Sequence, residues 1–340
     1  MEIAHLLWGL NLGGIETMLV NIANEQTNQA SVTIIIINDD INIELLSRLK
    51  PGIKVIKLNR RKNVWPLIKL NLLLIKKQFD IVHIHSKEIG MLLFPYMPKS
   101  KLVYTIHDTG VAKKYIIRPY ALRVAISHSV ANDVKKRLGI DTVVISNGIK
   151  ADEFKKSKGK TGKLFKIVQL SRLHYQKKGQ HILIEALSVL RKRGVNNISC
   201  DFIGLGDPAP LKELGVKFGI ENINFLNGKE QSYIKAHLKD YDLLVQPSIY
   251  EGFGLTVTEG MAAKIPVLVS AIEGPMEIID SGKYGFYFKV GDAEDCADQI
   301  EKIMHSDNRL MIENAFDRVN SIYNVEVTAR QYIEEYRKIL

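Results

Sequence analysis

Short apolar runs recur along the chain, each followed by a glycine-rich or polar loop and then by a stretch of helical periodicity. In the first half the runs fall at residues 3–8, 32–37, 55–58, 81–85, 102–106, 124–127 and 142–145. Between them, residues 15–25, 67–77 and 129–138 repeat apolar side chains every three or four positions, the spacing of an amphipathic helix. Strands alternating with helices predict parallel sheets covered on both faces. Residues 150–163 break this rhythm with a polar, lysine-rich, glycine-containing stretch that reads as an exposed inter-domain linker. The rhythm then restarts at 166–170, 180–193 and 199–204 and continues to 267–270. The pattern therefore predicts two doubly wound α/β domains in series, 1–158 and 159–324, with residues 325–340 as one more helix whose docking site the sequence leaves open, the first domain being one option.

Length agrees, since 340 residues exceed one ordinary core. An apolar fraction of 46% and a charged fraction of 25% are those of a globular chain, which excludes global disorder. No apolar run approaches the ~20 residues of a bilayer span. The first residues lack the basic leader and long apolar stretch of a secretory signal. Cys200 and Cys296 have no metal-type spacing and are expected to be buried, reduced thiols of a cytosolic protein. The net charge of +10 admits nucleic acid, an anionic membrane surface or an anionic substrate as partner. Without zinc-finger spacing or an aromatic RNA-binding signature, nucleic acid rests on charge alone.

Ligands of doubly wound sheets bind beyond the carboxyl ends of the strands. There the sequence places Glu251, Gly252, Phe253, Gly254 and Leu255 in a strand-to-helix loop, with Glu259 about one turn into the following helix. The glycines admit a close backbone approach, and the free N–H groups of the helix start suit phosphate or sugar hydroxyls. Two carboxylates can accept hydrogen bonds from ribose or hexose diols; the plainer reading is a loop residue and a helix-dipole partner. A second loop, after the first strand of the second half, carries Arg172 and Lys178. A guanidinium fork and an ammonium point charge can converge on a diphosphate and stabilise it as it leaves.

Together these residues resemble the retaining glycosyltransferases of family 4, built from two Rossmann-like domains facing across a cleft (the GT-B fold). The family's Glu-x7-Glu signature is matched by Glu251 and Glu259, its basic pair by Arg172 and Lys178. Its amino-terminal glycine loop is matched by Gly13, Gly14, Ile15 and Glu16, and its strand-end histidine by His107. The resemblance extends over nearly the whole chain. It implies that Glu259 holds the donor ribose, Arg172 and Lys178 the diphosphate, and Glu251 with the 252–255 backbone the transferred hexose. Gly14 would approach the phosphates and His107 would lie near the sugar, while Gly204 and Asn227 would border the base. Glu251, His107, Arg172 and Lys178 are thus the candidate catalytic residues. A UDP-sugar is the expected donor, with GDP-mannose second, and neither a metal nor another cofactor is implied.

The Asp-x-Asp pair Asp240 and Asp242 has a metal-binding form but precedes a strand, so it is expected at the far end of the sheet as a turn. Asp39 and Asp40 read as a strand-end turn. His83 and His85 alternate along one strand and are expected to face opposite sides, unable to share a metal. Basic clusters at Arg60, Arg61 and Lys62 with the apolar 65–75 segment, at Lys113, Lys114 and Arg118, and at Lys135–Arg137 suggest a peripheral protein of the cytoplasmic membrane face. Such a protein would extend a lipid-linked glycan, polysaccharide or lipopolysaccharide acceptor; a packed helix with a solvated lysine face is the alternative. An epimerase or phosphorylase of the same architecture, or a sugar-nucleotide-binding protein without turnover, also remains open.

Overall fold

The computed structural model describes residues 1–11, 13–61, 63–94, 100–110, 120–157, 159 and 164–340. Lys113, Lys114 and Arg118, and Lys62 of the first basic cluster, lie outside the described residues. The chain forms two compact units, one of residues 1–149 and 324–340, the other of residues 150–323.

In the first unit seven parallel strands form one sheet: β1 (Glu2–Leu7), β2 (Ser31–Ile36), β3 (Lys54–Lys57), β4 (Ile81–Ile84), β5 (Lys101–Ile106), β6 (Leu122–Ala125) and β7 (Val143–Val144). Their spatial order is β3-β2-β1-β4-β5-β6-β7, so the winding reverses between β1 and β4. Five of six residues in β1 and in β2, and all four in β4, are buried, as apolar strands covered on both faces must be. The helix Val325–Ile339 packs against the helix Gly14–Gln26 and places Tyr332, Ile333 and Tyr336 in the same core as Ile3, Met18 and Val103. Asn324 caps it, accepting from the Glu326 N–H, and the Val325 N–H donates to the Ile149 carbonyl at 3.0 Å.

The second unit has six parallel strands: β8 (Phe165–Leu170), β9 (Ile198–Ile203), β10 (Ile223–Leu226), β11 (Leu243–Gln246), β12 (Val267–Ser270) and β13 (Phe286–Phe288). Their order, β10-β9-β8-β11-β12-β13, reverses between β8 and β11. The helix Gln180–Lys192 buries Ile182, Leu183, Ala186 and Leu190 on one face of this sheet, where helix Ala293–His305 adds Cys296, Ile300 and Ile303. Both cysteines are buried and unpaired, and burial pushes both thiols up.

The stretch expected as an exposed linker begins as part of the second unit. Ala151 and Phe154 are buried, Lys155 N–H donates to the Lys235 carbonyl at 2.9 Å, and Ser157 N–H to that of Ala263 at 2.8 Å. Two apolar side chains among the lysines supply the anchor that average polarity hides. Residues 158 and 160–163 lie outside the described residues. No helix among the described residues is long and apolar enough to cross a membrane.

Candidate active site

Each sheet has a topological switch point. The second unit gathers polar side chains beyond the strand ends that flank it, whereas in the first His5 and His83 lie within β1 and β4 and only His85 and His107 follow strand ends. In the second unit the loops after β8 and β11 are packed backbone to backbone. The N–H groups of Ile249 and Tyr250 donate to the Lys177 carbonyl at 2.9 and 3.3 Å, and Lys177 Nζ lies 4.7 Å from the Tyr250 ring centre. Gly179 sits at φ +66°, where a Cβ would overlap the Pro247 carbonyl oxygen, so both space and conformation require glycine. This docking brings Lys178 Nζ to 2.5 Å from Glu251 Oε2. Both side chains are about four-fifths buried, so the pair is enclosed rather than a surface contact.

Gln246, the last residue of β11, joins the parts. Its Nε2 donates to Glu251 Oε2 at 3.1 Å, and its Oε1 accepts from Thr256 Oγ1 at 3.2 Å. Thr256 lies in the first turn of helix Leu255–Ala262, which Gly254 opens at φ +113°. Gln246 thus fixes Glu251 relative to the helix that carries Glu259. Phe253 turns inward, against Tyr323 at 5.7 Å between ring centres, so only its backbone remains for a ligand.

Glu259 Oε1 accepts from Gln231 Nε2 at 2.8 Å, from the helix that follows β10. Burial raises its pKa to about 7, against the opposing pull of Gln231 and Lys235. Arg172 is exposed, and its carbonyl accepts from Gln180 Nε2 at 2.8 Å. Gly204 lies against the Ser171 carbonyl, where a Cβ would overlap it, and Leu173 N–H donates to the Leu205 carbonyl at 2.8 Å. Exposed Asn227 precedes Gly228, which is packed against Leu205. The loops after β8, β9 and β10 therefore touch in sequence, placing Arg172, Gly204 and Asn227 on one rim. Asp242 lies at the opposite edge, just before β11, and accepts from Lys166 N–H at 2.8 Å. Asp240 is held by Lys239 and His237 in the preceding turn.

The first unit closes its switch point differently. Gly13 precedes and Gly14 begins the helix after β1; Gly14 is exposed, while the Glu16 carboxylate lies against Gly13 where a Cβ would stand. His107 follows β5, and its Nε2 lies 3.3 Å from His85 Nδ1. His83 and His85 do not face opposite sides. Residues two apart in a strand point to the same face, and their ring centres are 4.1 Å apart. His5, paired with His83 across β1 and β4, completes the cluster; nitrogens of His5, His83 and His85 lie within 4.8 Å of one another. Burial brings His5 and His107 down to about 4; burial and the neighbouring imidazoles hold His83 and His85 well below the ordinary value. The rings are therefore neutral.

Sequence reasoning gave no role to Gln246, Gln231, Gln26 or His5. A buried amide ending an otherwise apolar strand, as Gln246 ends β11, is the local signal that marks the first; the others are brought in by tertiary contacts alone.

Residues 150–318 match the family model described as Glycosyl transferases group 1, and residues 12–153 the model described as Glycosyltransferase Family 4. The chain is 29% identical over 277 residues to a glycosyltransferase of Methanocaldococcus jannaschii, covering 75% of this chain and 68% of that protein. It is 25% identical over 252 residues to the phosphatidyl-myo-inositol mannosyltransferase of Mycobacterium leprae, covering 69% of this chain and 66% of that one. The chain thus spans about two thirds of the length of these relatives. The fold matches that of Anabaena HepE, solved with UDP and glucose, with a TM-score of 0.83 at 22% identity over 99% of this chain and all of the other.

Proposed function

Since the chain belongs to glycosyltransferase family 4, with two family models covering it in succession, we propose that it is a retaining transferase. It moves a hexose or N-acetylhexosamine from a UDP-sugar to a lipid-linked or polysaccharide acceptor. The observation that carries this reading is the enclosed Lys178–Glu251 pair at the second switch point, tied through Gln246 to the helix bearing Glu259. Without ligand, Lys178 neutralises Glu251. A bound diphosphate competes for that ammonium and releases the carboxylate to accept hydrogen bonds from sugar hydroxyls.

In this reading Glu259 accepts from the ribose diol, Arg172 and Lys178 bind the diphosphate, and Glu251 with the 252–255 backbone orients the sugar. Gly204 and Asn227 border the base. Gly14 leaves room for the phosphates, and His107 is the first unit's catalytic group. The bond between the anomeric carbon and the diphosphate oxygen breaks through an oxocarbenium-like ion pair. The acceptor oxygen bonds to the same face, and its proton passes to the departing phosphate oxygen. Fixed cations near the charge that develops lower the barrier. No resident metal is required, so turnover persists in chelator. The M. leprae relative, named for mannosyl transfer to phosphatidyl-myo-inositol, supports a lipid acceptor, and the UDP and glucose bound by HepE support a UDP donor.

The first unit also offers a surface for an acidic membrane. On the helix Trp65–Lys77, residues Trp65, Lys69, Leu72 and Lys76 follow one another at helical spacing, and all are exposed, Trp65 by 72%. An aromatic and an aliphatic side chain between lysines suit an interface with anionic lipid. Sedimentation with acidic liposomes, lost in 0.5 M salt (roughly a 4 Å screening length) and in a Trp65→Ser, Leu72→Ser variant, tests this; salt-insensitive binding or none sinks it.

The function itself is tested by incubating the protein with UDP- and GDP-sugars and a membrane lipid extract. Release of UDP with an α-linked product from an α-linked donor supports the proposal. Donor binding without any transfer would move the non-catalytic reading ahead, and acceptor-independent sugar isomerisation would establish the epimerase.

A further inference from the structure

The histidines of the first unit form an ordered chain. His107 Nε2 lies 3.3 Å from His85 Nδ1, His85 Nε2 lies 3.1 Å from His5 Nδ1, and His5 Nε2 lies 2.7 Å from Gln26 Oε1. A neutral imidazole offers one N–H and one lone pair, so each ring's setting dictates the next. Where the Gln26 carbonyl accepts, His5 carries its proton on Nε2 and accepts on Nδ1. His85 then donates from Nε2 and accepts on Nδ1, and His107 donates from Nε2. The lone pair of His107 Nδ1 is left over, and that nitrogen is buried with no partner among the described residues.

His83 stands outside this chain although its ring is adjacent. Its Nδ1 lies 2.6 Å from the Tyr336 hydroxyl and its Nε2 2.7 Å from Thr105 Oγ1, which in turn lies 2.9 Å from the Tyr332 hydroxyl. For His5, His83 and His85 to bind a metal, each ring would have to give up one of its hydrogen bonds, His83 that to Tyr336 or that to Thr105. The nitrogens, up to 4.8 Å apart, would also have to draw in to the ~3.4 Å set by metal–nitrogen bonds of about 2.0–2.1 Å. The hydrogen-bonded chain needs no such movement.

We propose that Gln26, His5 and His85 are positioning residues, a tautomer relay that holds the unpartnered Nδ1 of His107 as a hydrogen-bond acceptor, taken up by a substrate hydroxyl when binding uncovers that buried nitrogen. This rests on the transferase reading, in which His107 meets substrate. The relay explains why a helix-end glutamine and a β1 histidine, neither at a strand end, lie buried and aligned behind His107. Its neutral rings also avoid placing a positive charge where an electron-deficient sugar carbon develops.

The test is the imidazole 15N–1H spectrum of the full chain labelled in histidine, with rings assigned by single substitutions. The expected result is Nε2 protonated and Nδ1 bare at His5, His85 and His107. Gln26→Leu removes the terminal acceptor and is expected to mix the two tautomers at His107, two rings away. Gln26→Glu keeps an acceptor and is expected to restore the native setting. If Gln26→Leu does not fold, His5→Asn cuts the chain at another link with the same expected change. In turnover, a cut relay lowers kcat about tenfold, the weight of roughly one hydrogen bond, with donor Kd unchanged. A His107 tautomer indifferent to these cuts, a wild-type spectrum with Nδ1 protonated, or stoichiometric zinc moving the His5, His83 and His85 signals together would each overturn the proposal. Because the spectrum needs neither donor nor acceptor, a failed relay is distinguishable from a failed transferase reading.

Discussion

The two units wind their sheets in the same sense and reverse strand order at equivalent places, yet they fill the two switch points with opposite chemistry. Beyond β8 and β11 stand charged groups: the enclosed Lys178–Glu251 pair, exposed Arg172 and the uneasily ionised Glu259. Beside β1, β4 and β5 stand neutral rings, joined to one another and to Gln26, Thr105 and two tyrosines. In the proposed reading, the charged site exchanges an internal ion pair for a ligand's charge. The other is arranged to present a fixed pattern of donors and acceptors with no net charge. The doubly wound fold supplies the location in both cases, and the side chains gathered there decide the use.

The largest contrast is expected in turnover. Lys178→Ala leaves Glu251 enclosed without its cation and removes the group proposed to meet the leaving diphosphate. Steady-state kinetics should show kcat lower by about 10²–10³-fold. An equal loss from Lys135→Ala, an exposed lysine paired with Asp141 in the first unit, would show that general charge rather than this site matters.

The next effect is in stability against pH, where the units should move in opposite directions. The buried histidines have native pKa values below the unfolded value near 6.5. Their contribution is present at neutral pH and is lost as pH falls from about 6.5 through about 4. Glu259 is raised from 4.5 to about 7, so its penalty is absent below about 4.5 and grows as pH rises through 7. Urea unfolding should show the acid limb shrinking in His5→Gln and the neutral limb flattening in Glu259→Gln. An unchanged acid limb in His5→Gln would contradict the neutral cluster.

A smaller effect is structural. Gly179→Ala forces a Cβ onto the Pro247 carbonyl at a left-handed backbone position and should cost ~1–3 kcal/mol in urea unfolding. Gly194→Ala, also left-handed but with nothing near its Cβ, should cost less. Equal costs would mean that the docking of the two loops contributes nothing.

The second site was far more legible in sequence than the first, for a physical reason. Glu251, Gly254 and Glu259 belong to one strand–loop–helix unit, and Lys178 reaches them from the neighbouring strand's loop, so local pattern foretells the arrangement. The histidine cluster draws on β1, β4, β5, the end of helix Gly14–Gln26 and the helix Val325–Ile339, far apart in sequence. No local period announces that gathering. The one local clue is the two-residue spacing of His83 and His85, which puts both rings on the same face of the strand. The boundary at 149 rather than 158 rests on two buried side chains, Ala151 and Phe154, that composition averages away.

The central claim, that the charged switch point of the second unit holds a nucleotide-sugar donor, is tested most directly by calorimetric titration with UDP and with GDP. The protein, Glu259→Ala and His107→Ala would be compared. The account predicts that UDP binds the parent protein, that Glu259→Ala loses about 10–100-fold in affinity as a charged hydrogen bond disappears, and that His107→Ala binds within about twofold. Undiminished binding to Glu259→Ala, or no binding of either nucleotide to the parent protein, would contradict it.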